Sequence, residues 1–287
     1  MPNLKLLQPN SLNEALSLLS ASSDETKIIS GGTALVIMLR NRLMAPAALL
    51  SLGGVRELGT IRHEPGVGLR IGALATIREA ETSPIVREKQ PMLAQAFGKV
   101  GNVRIRHAAT VGGNLSEADY ASDPPCALVA LRAKVKARSA KGEREISLSD
   151  FFKGFYETAL APDEILAELI VPDAASGTQA TYLKYVSRSS EDRPCVGMAA
   201  VLETQPDGTC KELRLVAGAV AEIPQEVAAA EEQARGQQLT GPLIEQIAQA
   251  YADAIEPLSD LRGSAWYRKQ IIRVLARRAM EQVSAIS

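Results

Sequence analysis

The hydrophobic and polar positions of the first third of the chain predict a small α/β unit followed by a change of texture. Apolar residues recur at helical spacing over Leu12–Leu19, directly behind Ser11–Glu14, which has the form of a capping box, so a first helix is expected to run to about Ser20. Beyond it, short apolar runs predict two strands with a helix between them, at residues 27–29, 35–42 and 48–52. This order favours parallel pairing of the two strands.

After residue 58 the pattern becomes strand-like and then helical. Alternating apolar residues over Val67–Ile71 line one face of a strand that ends at Gly72, and short helices fill residues 76–98. The next elements are a helix, a strand, a short helix and a strand, at residues 126–131, 134–138, 149–152 and 165–171. The small, breaker-rich sequence Pro172–Gly177 predicts a domain boundary.

The remainder of the chain predicts a sheet covered by helices. Three strand-like runs are spaced as in an antiparallel meander, at residues 180–186, 196–203 and 213–219. Helices are expected near residues 226–237, 242–254 and 264–283. The predicted fold class is therefore α+β, with a first domain over 1–175, in lobes of about 1–57 and 58–175, and a C-terminal α+β domain over 176–287.

Composition and charge exclude several classes of protein. The chain has 287 residues, with Lys+Arg 32 and Asp+Glu 33, a balance that argues against a nucleic-acid or anionic-membrane surface. The N-terminus lacks a secretory pattern and no apolar run is long enough for a membrane span, so we expect a cytoplasmic protein. The 3 cysteines are too widely spaced for a disulfide framework or an iron–sulfur cluster, and His63 and His107 have no carboxylate cluster to make a metal site.

Two glycine pairs carry the clearest chemical signal. They lie in Ser30-Gly31-Gly32-Thr33-Ala34 and in Thr110-Val111-Gly112-Gly113-Asn114, and the first follows a predicted strand and precedes a predicted helix. Without a Cβ, glycine lets backbone N–H groups approach a bulky anion such as a diphosphate. Neither pair has the spacing of the dinucleotide fingerprint or of the phosphate loop. Each pair alone is also compatible with a plain tight turn, so the motifs leave the ligand open.

Polar residues beside the second glycine pair have alternative interpretations. Arg104, Arg106 and His107 form either a solvated face or a source of positive field for a bound diphosphate. Asp119 and Asp123 either cap the helix predicted at residue 126 or accept hydrogen bonds from the hydroxyl groups of a cofactor.

At this point the chain resembles a known family over nearly its whole length. The motifs that carry the resemblance occur in the family's order: Ser30–Leu35, Ile71–Ala73, Val103–Arg106, Thr110–Asn114, Ser122–Asp123, Glu164–Leu166, Tyr182–Lys184 and Asp260–Ser264. They resemble the FAD-binding medium subunit of molybdenum hydroxylases, which include carbon monoxide dehydrogenase and the flavin part of xanthine dehydrogenase. The resemblance implies a two-lobed FAD-binding domain of the PCMH type, then a three-stranded antiparallel sheet with a helical bundle.

The resemblance also implies a cofactor site. It puts Ser30, Gly31, Gly32, Thr33 and Ala34, with Thr110, Gly112, Gly113 and Asn114, on the diphosphate of a non-covalent FAD. Asp123 then accepts sugar or ribityl hydroxyls, and Leu166 and Val100 contact the cofactor. Lys184 falls near the pyrimidine edge, where a cation favours the reduced flavin; without the family, a strand lysine is usually exposed.

The resemblance finally implies a role in electron transfer. Partner subunits carry the molybdenum cofactor and [2Fe-2S] clusters, and this chain passes electrons through FAD to an external acceptor such as NAD, a quinone or oxygen, in what we expect to be a dimer of heterotrimers. No residue of this chain is required as a catalytic nucleophile or base. Two rival hypotheses are a stand-alone flavin-dependent oxidoreductase and a nucleotide-binding scaffold without redox turnover.

Overall fold

The computed structural model describes residues 4–22 and 25–285, beginning with a three-stranded parallel sheet. Its strands are β1 (Lys5–Leu7), β2 (Thr26–Ile29) and β3 (Ala48–Ser51), in the order β1-β3-β2. Helix α1 (Leu12–Ser20) follows β1, and α2 (Leu35–Arg40) connects β2 to β3. The parallel strand–helix–strand unit predicted from the hydrophobic pattern is therefore confirmed.

The middle of the chain forms a five-stranded antiparallel sheet with helices packed against it. In chain order the elements are β4 (Ile61–Glu64), β5 (Gly68–Gly72), α3 (Ile77–Thr82), α4 (Pro84–Lys89), α5 (Pro91–Gly98), α6 (Val103–Ala108), α7 (Val111–Glu117), α8 (Asp123–Ala130), β6 (Lys134–Ser139), β7 (Gly142–Ser147), α9 (Leu148–Phe151), β8 (Phe152–Gly154), β9 (Glu157–Thr158) and β10 (Ile165–Val171). The sheet order is β4-β5-β10-β6-β7, and all seven residues of the central strand β10 are buried. This burial explains why β10 is apolar except at Glu168, which pairs with Arg62 and Arg70.

The C-terminal part of the chain is a three-stranded meander covered by helices. Its elements are β11 (Gln179–Tyr185), β12 (Val196–Thr204), β13 (Cys210–Gly218), α10 (Ala228–Glu231), α11 (Gly241–Ala254) and α12 (Ala265–Ala285). The strands pair antiparallel in the order β11-β12-β13. The predicted meander and two long helices are confirmed, and together with the parallel and antiparallel sheets they establish the α+β class.

Apolar cores join the sheets to one another. Leu12, Leu16 and Leu50 of the first unit pack in one cluster with Ile165 and Ala167 of β10. The helices on the middle sheet share a second cluster with Tyr182 and Val201 of the C-terminal sheet. The strands that carry candidate cofactor residues are thus fixed against each other by buried apolar surface.

Three helix predictions differ from the structure. The helix expected to reach residue 42 ends at Arg40, because Arg42 takes a left-handed conformation with φ 58°. The helix expected near residues 226–237 is only α10 followed by one 3₁₀ turn, Glu232–Ala234. The predicted reciprocal capping box at Ser11 is half formed: Ser11 accepts from the Glu14 N–H, but the Glu14 carboxylate accepts from the Asn10 N–H.

Candidate functional site

The fold brings the two glycine motifs into contact. The hydroxyls of Ser30 and Thr110 are 2.9 Å apart and hydrogen-bonded, although 80 residues separate them in the chain. The Thr110 hydroxyl also accepts a hydrogen bond from the Gly113 N–H at 3.1 Å. Because Ser30 follows β2 and Thr110 precedes α7, this contact joins the parallel unit to the middle sheet at one place.

The second motif is the first turn of a helix rather than a free turn. Thr110 is the N-cap of α7, and Gly112 and Gly113 take helical backbone positions inside it. The Gly112 N–H donates to the Ala73 carbonyl at 2.8 Å, and the Asn114 N–H donates to the Thr110 carbonyl at 2.9 Å. The expectation of a glycine turn is therefore wrong here, because an N-cap and a neighbouring strand end provide partners that a sequence pattern does not reveal.

The unpaired amide donors lie on the first motif. Within residues 4–22 and 25–285, the N–H groups of Gly31, Gly32, Thr33 and Ala34 donate no hydrogen bond to a protein acceptor. These residues are half-buried, and Gly32 has a φ of +69° that favours glycine. A short run of unpaired amides at a half-buried bend can receive an anion such as a diphosphate.

Close packing explains why both motifs require glycine. A Cβ on Gly31 would overlap the carbonyl oxygen of Ala108, and a Cβ on Gly112 would lie 2.5 Å from the Cβ of Ala73. A Cβ on Gly113 would lie 2.8 Å from both the Ser30 and the Thr110 hydroxyl oxygens. Larger residues would separate the two motifs.

A buried ion pair lies next to the second motif. Lys184 Nζ is 3.0 Å from Asp123 Oδ2, and both side chains are only 4% exposed. The Tyr182 hydroxyl donates to Asp123 Oδ1 at 2.7 Å, and Lys184 also donates to the Lys99 carbonyl at 2.8 Å. The usual exposure of a strand lysine therefore does not apply to Lys184.

Burial decides the protonation of this cluster. Removal of Asp123 from water raises the pKa of its carboxyl to about 6, and the nearby Lys184 charge and the Tyr182 hydrogen bond only partly oppose that shift. Burial likewise raises the pKa of the Tyr182 hydroxyl well above its ordinary value. Asp123 is the first residue of α8, whose N-cap is Ser122, so the interpretation of Asp123 as the helix cap is wrong.

Short links connect the remaining predicted residues to this region. The Asn114 side chain donates to the Ser122 hydroxyl at 2.9 Å, which ties the second glycine motif to Asp123. Val100 follows Lys99, whose carbonyl holds Lys184, and it packs against the main core. Leu166 is 4% exposed on β10, one residue before Ala167, whose carbonyl accepts from the Ala73 N–H at 2.9 Å.

The basic segment before the second motif forms the exposed helix α6. Arg104 and His107 are exposed, whereas Arg106 is half-buried and pairs with Glu81 at 2.9 Å. Asp119 does not cap a helix through its side chain; one oxygen accepts from the Ala121 N–H and the other pairs with Arg193 at 2.6 Å.

Sequence reasoning missed a polar network that clamps this region from the C-terminal side. The Tyr120 hydroxyl donates to Asp260 at 2.8 Å and accepts from Arg262 at 2.9 Å. Asp260 also binds Arg268, which is completely buried, at 2.6 Å. The Asp260–Ser264 motif is the sequence signal for this network.

Comparison with known proteins matches both halves of the chain to domains of one family of flavoproteins. Residues 2–174 match the family described as FAD binding domain in molybdopterin dehydrogenase, and residues 181–283 match the CO dehydrogenase flavoprotein C-terminal domain. The chain belongs to the FAD-binding medium subunits of the molybdenum hydroxylase family. It is therefore an FAD-binding oxidoreductase subunit, as the sequence motifs predicted.

Individual relatives of this family are similar from end to end. The nicotine 6-hydroxylase medium subunit of Paenarthrobacter nicotinovorans is 34% identical, and the glyceraldehyde dehydrogenase medium chain of Sulfolobus acidocaldarius is 31% identical; each alignment covers 99% of both proteins. Among solved structures, carbon monoxide dehydrogenase from Hydrogenophaga pseudoflava superimposes with a TM-score of 0.94 at 30% identity, over 99% of this chain and 98% of that one.

Proposed function

We propose that this chain is the electron-transfer subunit of a heterotrimeric molybdenum hydroxylase. It would take electrons from the [2Fe-2S] clusters of a small partner subunit and pass them to an external acceptor such as NAD, a quinone or oxygen. A large molybdopterin-binding subunit would oxidise the substrate, in a cytoplasmic dimer of heterotrimers. The proposal keeps the division into an FAD-binding domain over 1–175 and a C-terminal domain over 176–287.

The observation that carries the proposal is the junction of the two glycine motifs. The unpaired amides of residues 31–34 lie beside the tight contact in which Gly31 packs against Ala108 and Gly113 packs against Ser30 and Thr110. Unpaired donors held at a closely packed junction fit the diphosphate of FAD. No helix within the described ranges is long and apolar enough to cross a membrane.

FAD, when bound, supplies the redox chemistry, and the chain supplies binding and orientation. Ser30 and Thr110 hold the two motifs together around the diphosphate. The buried Asp123–Lys184 pair would provide one carboxylate and one cation beside the cofactor, and Leu166 and Val100 would contribute apolar contacts. We find no cysteine or histidine in either glycine motif, which supports non-covalent attachment.

The first test is the visible spectrum of the purified chain before and after acid precipitation. Absorption near ~450 nm that leaves the protein on acid treatment, with FAD in the supernatant, is the expected result. Colour retained by the acid precipitate would contradict non-covalent binding. Purification with an iron–sulfur and a molybdenum subunit would support the complex, whereas bleaching of the single chain by an organic substrate would favour the stand-alone flavoenzyme.

The Gly113→Leu variant tests the diphosphate assignment itself. Its side chain would collide with Ser30 and Thr110, so we expect loss of FAD from a folded chain. Gly59→Leu is the matched control, because a Cβ on Gly59 meets no atom within 4 Å. Normal flavin content in Gly113→Leu would contradict the assignment, and a colourless wild-type chain that cannot take up FAD would favour the scaffold hypothesis.

A further inference from the structure

Helix α2 and the turn that follows it expose apolar side chains to solvent. Val36 is 43%, Ile37 56% and Leu43 74% exposed. Arg40 lies on the same face, one helical turn after Ile37, and Arg42 is exposed beside it. We call these five residues the α2 surface.

The backbone of the α2 surface is fixed rather than loose. The Leu43 N–H donates to the Met38 carbonyl at 2.9 Å and the Arg42 N–H donates to the Leu39 carbonyl at 3.1 Å, which is the pattern of a Schellman motif. Arg42 occupies its left-handed position with φ 58°, where glycine is usual. The exposed leucine is therefore held in place before any partner arrives.

Both charged residues of the α2 surface, Arg40 and Arg42, are cationic. Residues 26–56 contain four lysines or arginines and no aspartate or glutamate, in a chain whose net charge is -1. Among the residues that the structure describes, neither Arg40 nor Arg42 has an ion-pair or hydrogen-bond partner for its guanidinium. Apolar groups with unpaired arginines complement a protein surface that carries apolar groups and carboxylates.

The α2 surface begins at the proposed cofactor site. A Cβ on Gly32 would lie 3.1 Å from Cγ2 of Val36, so the first turn of α2 touches the glycine motif. The helix has six residues, and at a rise of about 1.5 Å per residue its far end is only about 9 Å further on. A redox protein docked on this face would lie next to the proposed cofactor site.

We propose that the α2 surface is the docking site for the iron–sulfur subunit, which meets it with an acidic, partly apolar face. The proposal rests on the proposed electron-transfer function and adds the place of contact. Arg40 and Arg42 steer the approach of the acidic partner, and Val36, Ile37 and Leu43 form the dry centre of the contact.

The test compares how tightly the iron–sulfur subunit binds the wild-type chain and two variant chains. The Ile37→Asp/Arg40→Glu double variant puts two carboxylates on the α2 surface. Val67→Asp/Arg278→Glu is the matched control, since Val67 is 40% exposed in a distant turn and Arg278 is an exposed arginine of α12. The readouts are the affinity of the purified iron–sulfur subunit for the immobilised chain at low and high salt, and the FAD content of the chain.

We expect the double variant to bind the iron–sulfur subunit at least about tenfold more weakly, with full FAD content, and the control to bind normally. The wild-type affinity should fall with salt more steeply than that of the double variant. Unchanged affinity in the double variant would overturn the docking site and leave the proposed function intact. Failure of the wild-type chain to bind any iron–sulfur subunit would overturn both. Loss of a dimer of the isolated chain, with iron–sulfur binding unchanged, would assign the surface to a second copy.

Discussion

Asp123 shows how much the environment of a single residue controls its chemistry. In the sequence it is one of two acids before a proline pair, without any sign of burial. In the structure it is 3% exposed, with Tyr182 and Lys184 as its partners. Its pKa of about 6 lies above the ordinary value near 3.9 because burial outweighs both partners.

This shift predicts a specific pH dependence of stability. A carboxyl whose pKa is raised in the folded state binds more protons there than in the unfolded state between about pH 4 and 6, so its contribution to stability falls as pH rises through that window and is constant above it. From pH 5 to 7.5, Asp123 should therefore lower the free energy of unfolding by about 1 kcal/mol. Urea unfolding without added FAD measures this quantity.

Two variants isolate the effect of Asp123. The asparagine of Asp123→Asn cannot ionise, so the free energy of unfolding of this variant should not fall between pH 5 and 7.5. Loss of the ion pair with Lys184 lowers its stability at both pH values. Tyr182→Phe removes the hydrogen bond to Asp123 Oδ1, which should raise the pKa of Asp123 and extend the decrease to higher pH. If the free energy of unfolding had the same pH dependence in Asp123→Asn and in the wild type, ionisation of Asp123 would not lower the stability of the fold.

At the scale of elements, the turn before α12 connects the C-terminal helices to the segment beside the cofactor site. Burial would raise the pKa of Asp260, but hydrogen bonds from the Arg262 N–H, from Tyr120 and from Arg268 outweigh burial and hold it well below its usual range. The same carboxylate neutralises Arg268, which also donates to the Cys195 carbonyl. One charged group thus orients β12, α12 and the Tyr120 segment.

Asp260→Asn should therefore destabilise the chain by at least about 2 kcal/mol, because the buried Arg268 would lose its counter-ion. The measurement is the urea midpoint at neutral pH, where the wild-type carboxylate is ionised. Asp207→Asn is a control with the same charge change in an exposed turn, where Asp207 only accepts from Thr209. Equal shifts in the two variants would mean that the network around Asp260 is not a source of stability.

The sequence predicted an element correctly where its hydrophobic pattern was compatible with only one type of secondary structure. The range 165–171 of β10 was predicted correctly because all of its residues are buried and all except Glu168 are apolar. Helix α7 was read as a turn because two glycines lower helix propensity, and α6 was read only as a basic run. Strand β7, with four exposed residues, has no apolar alternation and was missed; it forms through its ladder with β6.

The sequence was enough to propose the residues of the candidate site but not their arrangement. The motifs identified both glycine pairs, Asp123 and Lys184. Neither the hydrogen bond between Ser30 and Thr110 nor the burial of Lys184 follows from spacing, since both depend on how the parallel unit packs against the middle sheet. The contribution of Tyr120 and Asp260 was missed for the same reason, because their contact spans 140 residues of sequence.

At the scale of the whole molecule, the proposed cofactor site lies where two sheets meet. Ser30 extends from the parallel unit, and Thr110 belongs to the helices on the five-stranded sheet. A ligand that contacts both motifs binds only the assembled fold, so its binding energy adds to the stability of that fold. FAD should therefore act as a non-covalent link between these parts of the chain.

This link predicts that FAD raises the melting temperature of the chain in a concentration-dependent way. At 100 times its dissociation constant FAD should add about 2.7 kcal/mol, which for a chain of this size is a rise of roughly 4–5 °C. Riboflavin, which lacks the diphosphate, should give little rise at the same concentration, and Gly113→Leu should respond to neither compound, whereas Gly59→Leu should respond as the wild type does. If riboflavin and FAD raised the melting temperature equally, the binding energy would come from the flavin ring alone, and the amides of residues 31–34 would have no part in holding a diphosphate.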